Sequence, residues 1–451
     1  MTDRRPSTGL PAGAGDSFPA GTTTARASAC RRLAVVGTSY RRASVELRER
    51  LAVSPYELGG VAARMAQGRE AVVLATCGRT EVYLADADPT AAAAHAAAVL
   101  ADRAGVAPRD LEQTLFAATD EEVVLHLFRV AAGLESLVPG ESEVLGQVRD
   151  AHTWARTAGT EGPMLNRLFS HALRTGKRVR SETALATHPA SVAWAAADLA
   201  HQLLGELAGR CIVIIGAGKM GQLAAARLVS GGAENVLVAN RTLVRAEGLA
   251  RRLGGEAASF DRLPEVLERA DVVVSSTRCP RLILAVDQVA DVLPRRHGRP
   301  LLLIDIAVPR DLDSRIGDLE GCHLYDVDDL GEIARADAPE VEGEFVRAEA
   351  IVSEEVERFC GWLHSRDVVP TITKLRRRGE EIRAAALADA EGDFRRLSPD
   401  ERKAVDTLTT KIVNKLLHAP TVGAKEAAAQ GDGHLHETVL RHLFGLAEEG
   451  V

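Results

Sequence analysis

The stretch VVLATCGRTEVYL, residues 72–84, sets Cys77 just after a run of small and β-branched residues, with Arg79 two positions on. The thiolate is the nucleophilic form of cysteine, and a nearby cation stabilises it. Arg79 offers Cys77 such a neighbour. Taken alone, Cys77 reads equally well as a buried structural cysteine. A second motif changes the balance. Gly216, Ala217, Gly218, Lys219, Met220 and Gly221 form GxGxxG directly after the apolar run CIVII. Between a strand and a helix, the first glycine permits the tight turn and the second lets a pyrophosphate approach the backbone. The third lets helix and strand pack closely. The helix N-terminus then presents free N–H groups to the phosphates.

The next apolar run ends VLVANRT. An acidic residue at this place binds the ribose 2′-hydroxyl of NAD. Asn240, Arg241 and Thr242 stand there instead. Arg241 is placed to pair with a 2′-phosphate and Thr242 to donate a hydroxyl, which favours NADPH over NADH. The bland alternative for Arg241 is a solvated loop residue. A thiol plus a hydride donor is the equipment for reducing an activated carboxyl through a thioester. No metal is implied. Cys30, Cys77, Cys211, Cys279, Cys322 and Cys360 are scattered, with no CxxC pair and no zinc spacing.

These groups need elements to position them. LAVVG (33–37) reads as a strand and VELRERLAV (45–53) as a helix. AVVLATC and EVYLA read as two strands joined by the turn that holds Cys77. Residues 89–104 are alanine-rich and helical, and a helical region runs from Glu121 to about Leu185. From Arg210 the pattern is strand, glycine turn, helix, strand. ADVVVSST (270–277), PLLLIDIAV (300–308) and HLYDVDDL (323–330) follow as further strands. Strands alternating with helices predict a parallel sheet covered on both faces. After about Glu340 only helices are predicted. One long amphipathic helix is interrupted at Pro370, and a later one closes near Pro420. This block suits either a dimer element or a bundle packed on its own chain.

A chain of 451 residues with 46% hydrophobic residues supports several domains with sizeable cores. The net charge of -8 excludes general attraction to polyanions, so a nucleic-acid partner needs a local basic patch. RTGKRVR (Arg174, Lys177, Arg178, Arg180) and KLRRR (Lys374, Arg376, Arg377, Arg378) are such clusters. They read equally as solvated helix faces. No apolar run reaches the roughly 18 residues that suggest a membrane span. Few, dispersed cysteines point to a reducing, cytoplasmic compartment. Residues 1–28, rich in Gly, Pro, Ser, Thr and Ala, read as a disordered extension. An organelle transit peptide is the alternative, with Arg4, Arg5 and Arg26 set against Asp3 and Asp16.

The motifs VVGTSYRRASVELRERLAV, ATCGRTEVY, HLFRVAAGLESLVPGESEVLGQVRDA, GAGKMG with NRT, and LLLIDIAVPRD occur here in one order. From about residue 32 to the end, the chain resembles the glutamyl-tRNA reductase family. The resemblance implies an α/β chain in three parts. These are an N-terminal α/β catalytic domain (29–185), a Rossmann-like NADP-binding domain (186–340) and a C-terminal all-helical dimerisation domain (341–451), after the extension (1–28). It implies NADPH-dependent reduction of glutamyl-tRNA to glutamate-1-semialdehyde, the first step toward tetrapyrroles, by a homodimer. It also implies contact with the downstream glutamate-1-semialdehyde aminomutase. By position, Cys77 matches the family nucleophile and His126 a histidine important for activity. Bottom-up, His126 opens a helix and reads more simply as structural. Thr76, Cys77, Gly78, Arg79, Ser136, Glu141, Ser142, Glu143 and Gln147 match substrate-binding positions, with Arg79 the partner for the substrate carboxylate.

Four positions depart from the family pattern. Gly78 stands where the family has Asn, Glu143 where it has Gln, Tyr40 where it has His, and Ser44 where it has Pro. An added carboxylate repels an anionic substrate unless it finds a partner, is protonated or meets a different ligand. Two alternatives therefore stand beside the family reaction. One is a divergent paralogue that reduces another aminoacyl-tRNA or thioester. The other is a catalytically weak homologue that binds tRNA or a partner and regulates.

Overall fold

The computed structural model describes residues 32–446 except 55, 139, 142, 186–191, 278, 337–341 and 430–432. The N-terminal extension, Ser142 and the expected domain boundaries near 186 and 340 lie outside the described residues.

The first unit contains β1 (Leu33–Ser39), α1 (Val45–Leu51), α2 (Leu58–Ala66), β2 (Glu70–Ala75), β3 (Arg79–Ala85), α3 (Pro89–Ala104), α4 (Pro108–Glu112), β4 (Phe116–Thr119), α5 (Glu121–Ala131), α6 (Glu143–Ala158) and α7 (Pro163–Glu182). Its strands form an antiparallel sheet in the order β2-β3-β1-β4. Successive strand residues point to opposite faces. Leu33, Val35, Val72, Leu74 and Tyr83 therefore face α5, α6 and α7, while Ala34, Val36, Val73, Val82 and Leu84 face the α1–α4 side. The expected continuous helical region from Glu121 breaks after Ala131, and residues 132–138, 140 and 141 are outside any helix.

The second unit contains α8 (Val192–Leu204), β5 (Cys211–Ile215), α9 (Lys219–Ser230), β6 (Asn235–Ala239), α10 (Leu243–Leu253), β7 (Glu256–Ala258), α11 (Leu263–Arg269), β8 (Val272–Ser275), α12 (Val286–Val292), β9 (Leu301–Asp305), β10 (Cys322–Tyr325) and α13 (Val327–Ala336). All strand pairs in this sheet are parallel, in the order β10-β9-β8-β5-β6-β7. Renumbered from β5, this is the 3-2-1-4-5-6 order of the Rossmann fold, with its switch point between β5 and β8. The strand expected over 323–330 ends at Tyr325. Asp326 Oδ1 accepts from the Asp328 and Asp329 N–H groups, and Asp329 Oδ2 accepts from the Asp326 N–H. This reciprocal cap starts α13.

The helices α14 (Glu342–Asp367), α15 (Val369–Asp389), α16 (Glu391–Phe394), α17 (Pro399–Ala429) and α18 (Gly433–Leu443) complete the chain. The α14 stripe Ala348, Val352, Val356, Phe359 and Leu363 is buried in the core of the first unit. Helix α17 does not close near Pro420 as expected but passes through it. Proline removes one helical hydrogen bond, yet Leu417 before it and Ala424 and Ala428 after it share one buried cluster. Tertiary packing on both sides outweighs the local penalty.

Candidate active site

Cys77 sits at the tip of the β2–β3 hairpin. The Thr76 N–H donates to the Arg79 carbonyl at 2.8 Å, closing the turn. Thr76 Oγ1 accepts from the Gly78 and Arg79 N–H groups, at 3.2 Å each. The turn is thus fixed by its own threonine, and the Cys77 side chain is left half-buried. Gly78 has an ordinary backbone conformation. A Cβ there would lie 3.8 Å from the Tyr40 ring, so two departures from the family pattern touch each other. Tyr40 Oη donates to the Ser136 carbonyl at 3.1 Å, which brings the Ser136 loop against the turn.

Arg79 does not serve the thiol as expected. Its Nη1 donates to Glu81 Oε1 at 2.7 Å and its Nη2 to the Glu135 carbonyl, and the residue is buried. Strand alternation puts Arg79, Glu81 and Tyr83 on one face. Glu81 also accepts from Tyr83 Oη at 2.6 Å and lies 3.0 Å from His126 Nε2. Burial alone pushes the Glu81 carboxyl up. The Arg79 charge, His126 and the Tyr83 hydroxyl together outweigh that and hold it at about 2. His126 is therefore placed in a buried network behind the turn, with its ring 4.8 Å from that of Phe116. Arg79, the residue expected to meet the substrate carboxylate, has its guanidinium matched by Glu81 in this structure.

The cation beside Cys77 is Arg48, which was not singled out from the sequence. Its Nη1 donates to the Cys77 carbonyl at 2.6 Å. The thiol itself is pushed up to about 12, first by burial and then by Glu141 and Glu143, with Arg48 opposing. Burial and the neighbouring Glu143 raise the Glu141 carboxyl to about 7, against Arg79 and Lys219. Glu143 opens α6 with Gln147 one turn on, both half-buried.

Glu143 finds its partner in the glycine loop. Its Oε1 lies 3.1 Å from Lys219 Nζ, without an aligned hydrogen bond, so the contact is Coulombic. Gly216 takes φ +97°, and a Cβ there would meet the Ser276 carbonyl at 2.6 Å. Gly218 and Gly221 also press on Ser276. The loop therefore hugs the end of β8 at the switch point, a packing that only glycines allow and the place where this fold takes a dinucleotide. Ala217, Lys219 and Met220 lie in the same turn and first helical residues. Asn240, Arg241 and Thr242 follow β6. Asn240 Nδ2 donates to the Thr242 carbonyl at 3.2 Å, and Arg241 and Thr242 are exposed.

Residues 36–183 match a family model described as "Glutamyl-tRNAGlu reductase, N-terminal domain". Residues 198–333 match one described as "Shikimate / quinate 5-dehydrogenase", and residues 347–446 one described as "Glutamyl-tRNAGlu reductase, dimerisation domain". The glutamyl-tRNA reductase of Pelobacter propionicus is 42% identical over 415 residues, spanning 91% of this chain and 95% of that protein. The chain belongs to the glutamyl-tRNA reductase family. The glutamyl-tRNA reductase of Natranaerobius thermophilus is 41% identical, spanning 93% of each chain. The solved glutamyl-tRNA reductase from Methanopyrus kandleri is 34% identical, covers 90% of this chain and 98% of that one, and superposes with a TM-score of 0.44. As a member of the glutamyl-tRNA reductase family, the chain is a nicotinamide-dependent oxidoreductase.

Among the described residues of this glutamyl-tRNA reductase family member, two charged groups at the site escaped sequence reasoning. Arg48 falls on the helix face of Val45 and Leu51, both buried. A charge on the apolar stripe of a helix was the available signal. Glu81 lies on the buried face of β3, and two-residue alternation flags it in the same manner. No helix among the described residues is long and apolar enough to cross a membrane.

Proposed function

We propose that this chain reduces glutamyl-tRNA to glutamate-1-semialdehyde with NADPH, with Cys77 as the nucleophile. The observation that carries this is Glu143, whose carboxylate acts on the Cys77 thiol and lies 3.1 Å from Lys219 of the glycine loop. The Cys77 sulfur attacks the ester carbonyl carbon, and the tRNA 3′-terminal oxygen leaves with a proton, giving a thioester. NADPH, when bound, supplies the hydride that converts the thioester to the aldehyde and releases the thiolate. The turn of Gly216 and Gly218, packed in place through Gly221, would hold the pyrophosphate, and Arg241 with Thr242 would receive the 2′-phosphate.

The thiol stays protonated at neutral pH, so attack needs a base. Glu141, with its carboxyl at about 7 beside the thiol, titrates in the range that role demands. Ser136 and Gln147 line the substrate side. His126 acts through Glu81 and Arg79 as a positioning residue for the turn. The anion that Glu143 adds is balanced by Lys219, which supports glutamyl-tRNA over a different aminoacyl-tRNA. Tyr40 packs beside Gly78, its N–H donating to the Gly78 carbonyl at 2.8 Å.

The active form in this proposal is a homodimer. Leu408, Ile412 and Leu416 repeat every fourth residue on α17, and Leu435, Val439 and Leu443 do the same on α18, all exposed on the single chain. Arg174, Lys177 and Arg180 are exposed on α7 and suit the tRNA backbone, whereas Arg178 is taken by Glu182, Glu354 and Glu355. Unpaired Cys77, Cys211, Cys279, Cys322 and Cys360 suit a reducing cytoplasm. The test is NADPH oxidation that depends on glutamyl-tRNA, with NADH beside it and Cys77→Ser as control. Oxidation that survives Cys77→Ser overturns the nucleophile, and equal rates with NADH overturn the cofactor assignment.

A further inference from the structure

Helix α1 joins the two units at the nucleophile. Arg48 is 3% exposed and makes contacts in three directions. Its Nε donates to the Ala43 carbonyl at 3.3 Å, its Nη1 to the Cys77 carbonyl at 2.6 Å, and its Nη2 to Asp328 Oδ1 at 2.5 Å. Asp328 belongs to α13 of the nucleotide-binding unit, 280 residues away in sequence. The next residue of α1 repeats the connection. Glu49 accepts from the Arg310 N–H at 2.6 Å, from its Nε at 2.9 Å and from its Nη2 at 3.0 Å. Glu46 lies 2.9 Å from Arg310 Nη1. Arg310 follows β9 in the same nucleotide-binding unit.

We propose that Arg48 is a positioning residue for Cys77 and that Asp328 couples its charge to the nucleotide-binding domain. The proposal rests on Cys77 being the nucleophile. A buried guanidinium that holds the backbone of a nucleophile sets both the direction of that residue and the field at its sulfur. Of the charged groups acting most strongly on Cys77, Arg48 on α1 favours the thiolate, while Glu141 in the loop and Glu143 on α6 oppose it. Asp328 neutralises Arg48 from the side away from the turn. Its own neighbours Asp326 and Asp329 are occupied in capping α13. Relative movement of the two domains either breaks the Arg48–Asp328 and Arg310–Glu49 pairs or drags α1 and the Cys77 carbonyl with it. The state of the nucleotide-binding domain is thereby felt at the thiol, without contact between Asp328 and substrate.

The geometry predicts opposite effects from two changes in one contact. Asp328→Asn keeps the shape but leaves the Arg48 charge uncompensated, so Cys77 becomes more reactive. Arg48→Met removes the charge, so Cys77 becomes less reactive. Arg48→Lys keeps the charge without the fork and falls between wild type and Arg48→Met. The experiment is alkylation of the full-length protein by iodoacetamide from pH 7 to 10, with modification at Cys77 resolved by peptide mass spectrometry. The expected change at a given pH is about three- to tenfold, up for Asp328→Asn and down for Arg48→Met. A merely structural contact moves both variants the same way, because either loosens the turn, and that result overturns the proposal. Equal reactivity of all forms overturns it as well. If Arg48→Met does not fold, Asp328→Asn and Arg48→Lys still must differ in sign. Alkylation needs neither tRNA nor NADPH. A failure of the proposed reaction, seen as activity in Cys77→Ser, is therefore distinct from a failure here.

Discussion

Glu143 of α6 and Lys219 of the glycine loop stand 3.1 Å apart, so the carboxylate that departs from the family pattern is matched by a cation of the GxGxxG turn. Glu143 is also one of the groups that raise Glu141, while Lys219 lowers it. Glu143→Gln therefore lowers the Glu141 pKa from about 7, and Lys219→Met raises it. If Glu141 is the base, the acid limb of the kcat/KM profile moves down in the first variant and up in the second. Lys219 is mostly exposed, so the direct pair contributes only about 0.2–1 kcal/mol. A double-mutant cycle on NADPH affinity measures it as a coupling of up to about fivefold.

Glu81 is held at about 2 by Arg79, His126 and Tyr83 against its own burial. In the unfolded chain it titrates near 4.5. A depressed carboxyl contributes stability that is fully present above the unfolded pKa and lost as pH falls through the folded one. Urea denaturation should therefore show this part of the stability disappearing between pH 4.5 and about 2. Glu81→Gln leaves Arg79 buried without its counter-charge and should cost about 3–5 kcal/mol at pH 7. In that variant the acid-dependent part should vanish.

Tyr40 and Gly78 meet where the family has a histidine and an asparagine. A Cβ at residue 78 sits 3.8 Å from the Tyr40 ring, which is ordinary contact, and an amide turned toward that ring would press on a side chain tied to the Ser136 carbonyl. Gly78→Asn alone should destabilise by about 1–3 kcal/mol through overpacking. Tyr40→His with Gly78→Asn should recover most of that loss and restore the KM for glutamyl-tRNA. Thermal melting and steady-state kinetics on the three variants read it directly.

Leu416 is 69% exposed on α17, within the stripe assigned to the homodimer contact. Leu416→Glu should convert the dimer to monomer in light scattering while the far-UV circular dichroism stays unchanged. A variant that remains dimeric removes α17 from the interface.

The elements with local signals were readable in advance. Helix α3 spans the expected residues because Pro89 opens it, the Asp88 side chain accepts from the Ala91 N–H, and Gly105 closes it with a left-handed conformation. Cys77 lies in a turn, and the three glycines sit at the switch point, because both motifs carry their own backbone requirements. What was not readable depends on partners distant in sequence. Arg48 meets Asp328, and Glu143 meets Lys219, only after two domains fold and dock. The pairing of Arg79 with Glu81, two residues on, is by contrast a local one that strand alternation makes readable. Pro420 reads as a stop because the local cost is visible and the packing around Leu417 and Ala424 is not.

The most direct test is to capture the covalent intermediate. The full-length protein is mixed with glutamyl-tRNA, without NADPH, quenched in acid within seconds and digested for mass spectrometry. A glutamyl adduct on the peptide holding Cys77, absent from Cys77→Ser and chased to glutamate-1-semialdehyde when NADPH is added before the quench, is the expected result. An adduct on another residue, or aldehyde formation by Cys77→Ser, contradicts the assignment of Cys77 as the nucleophile.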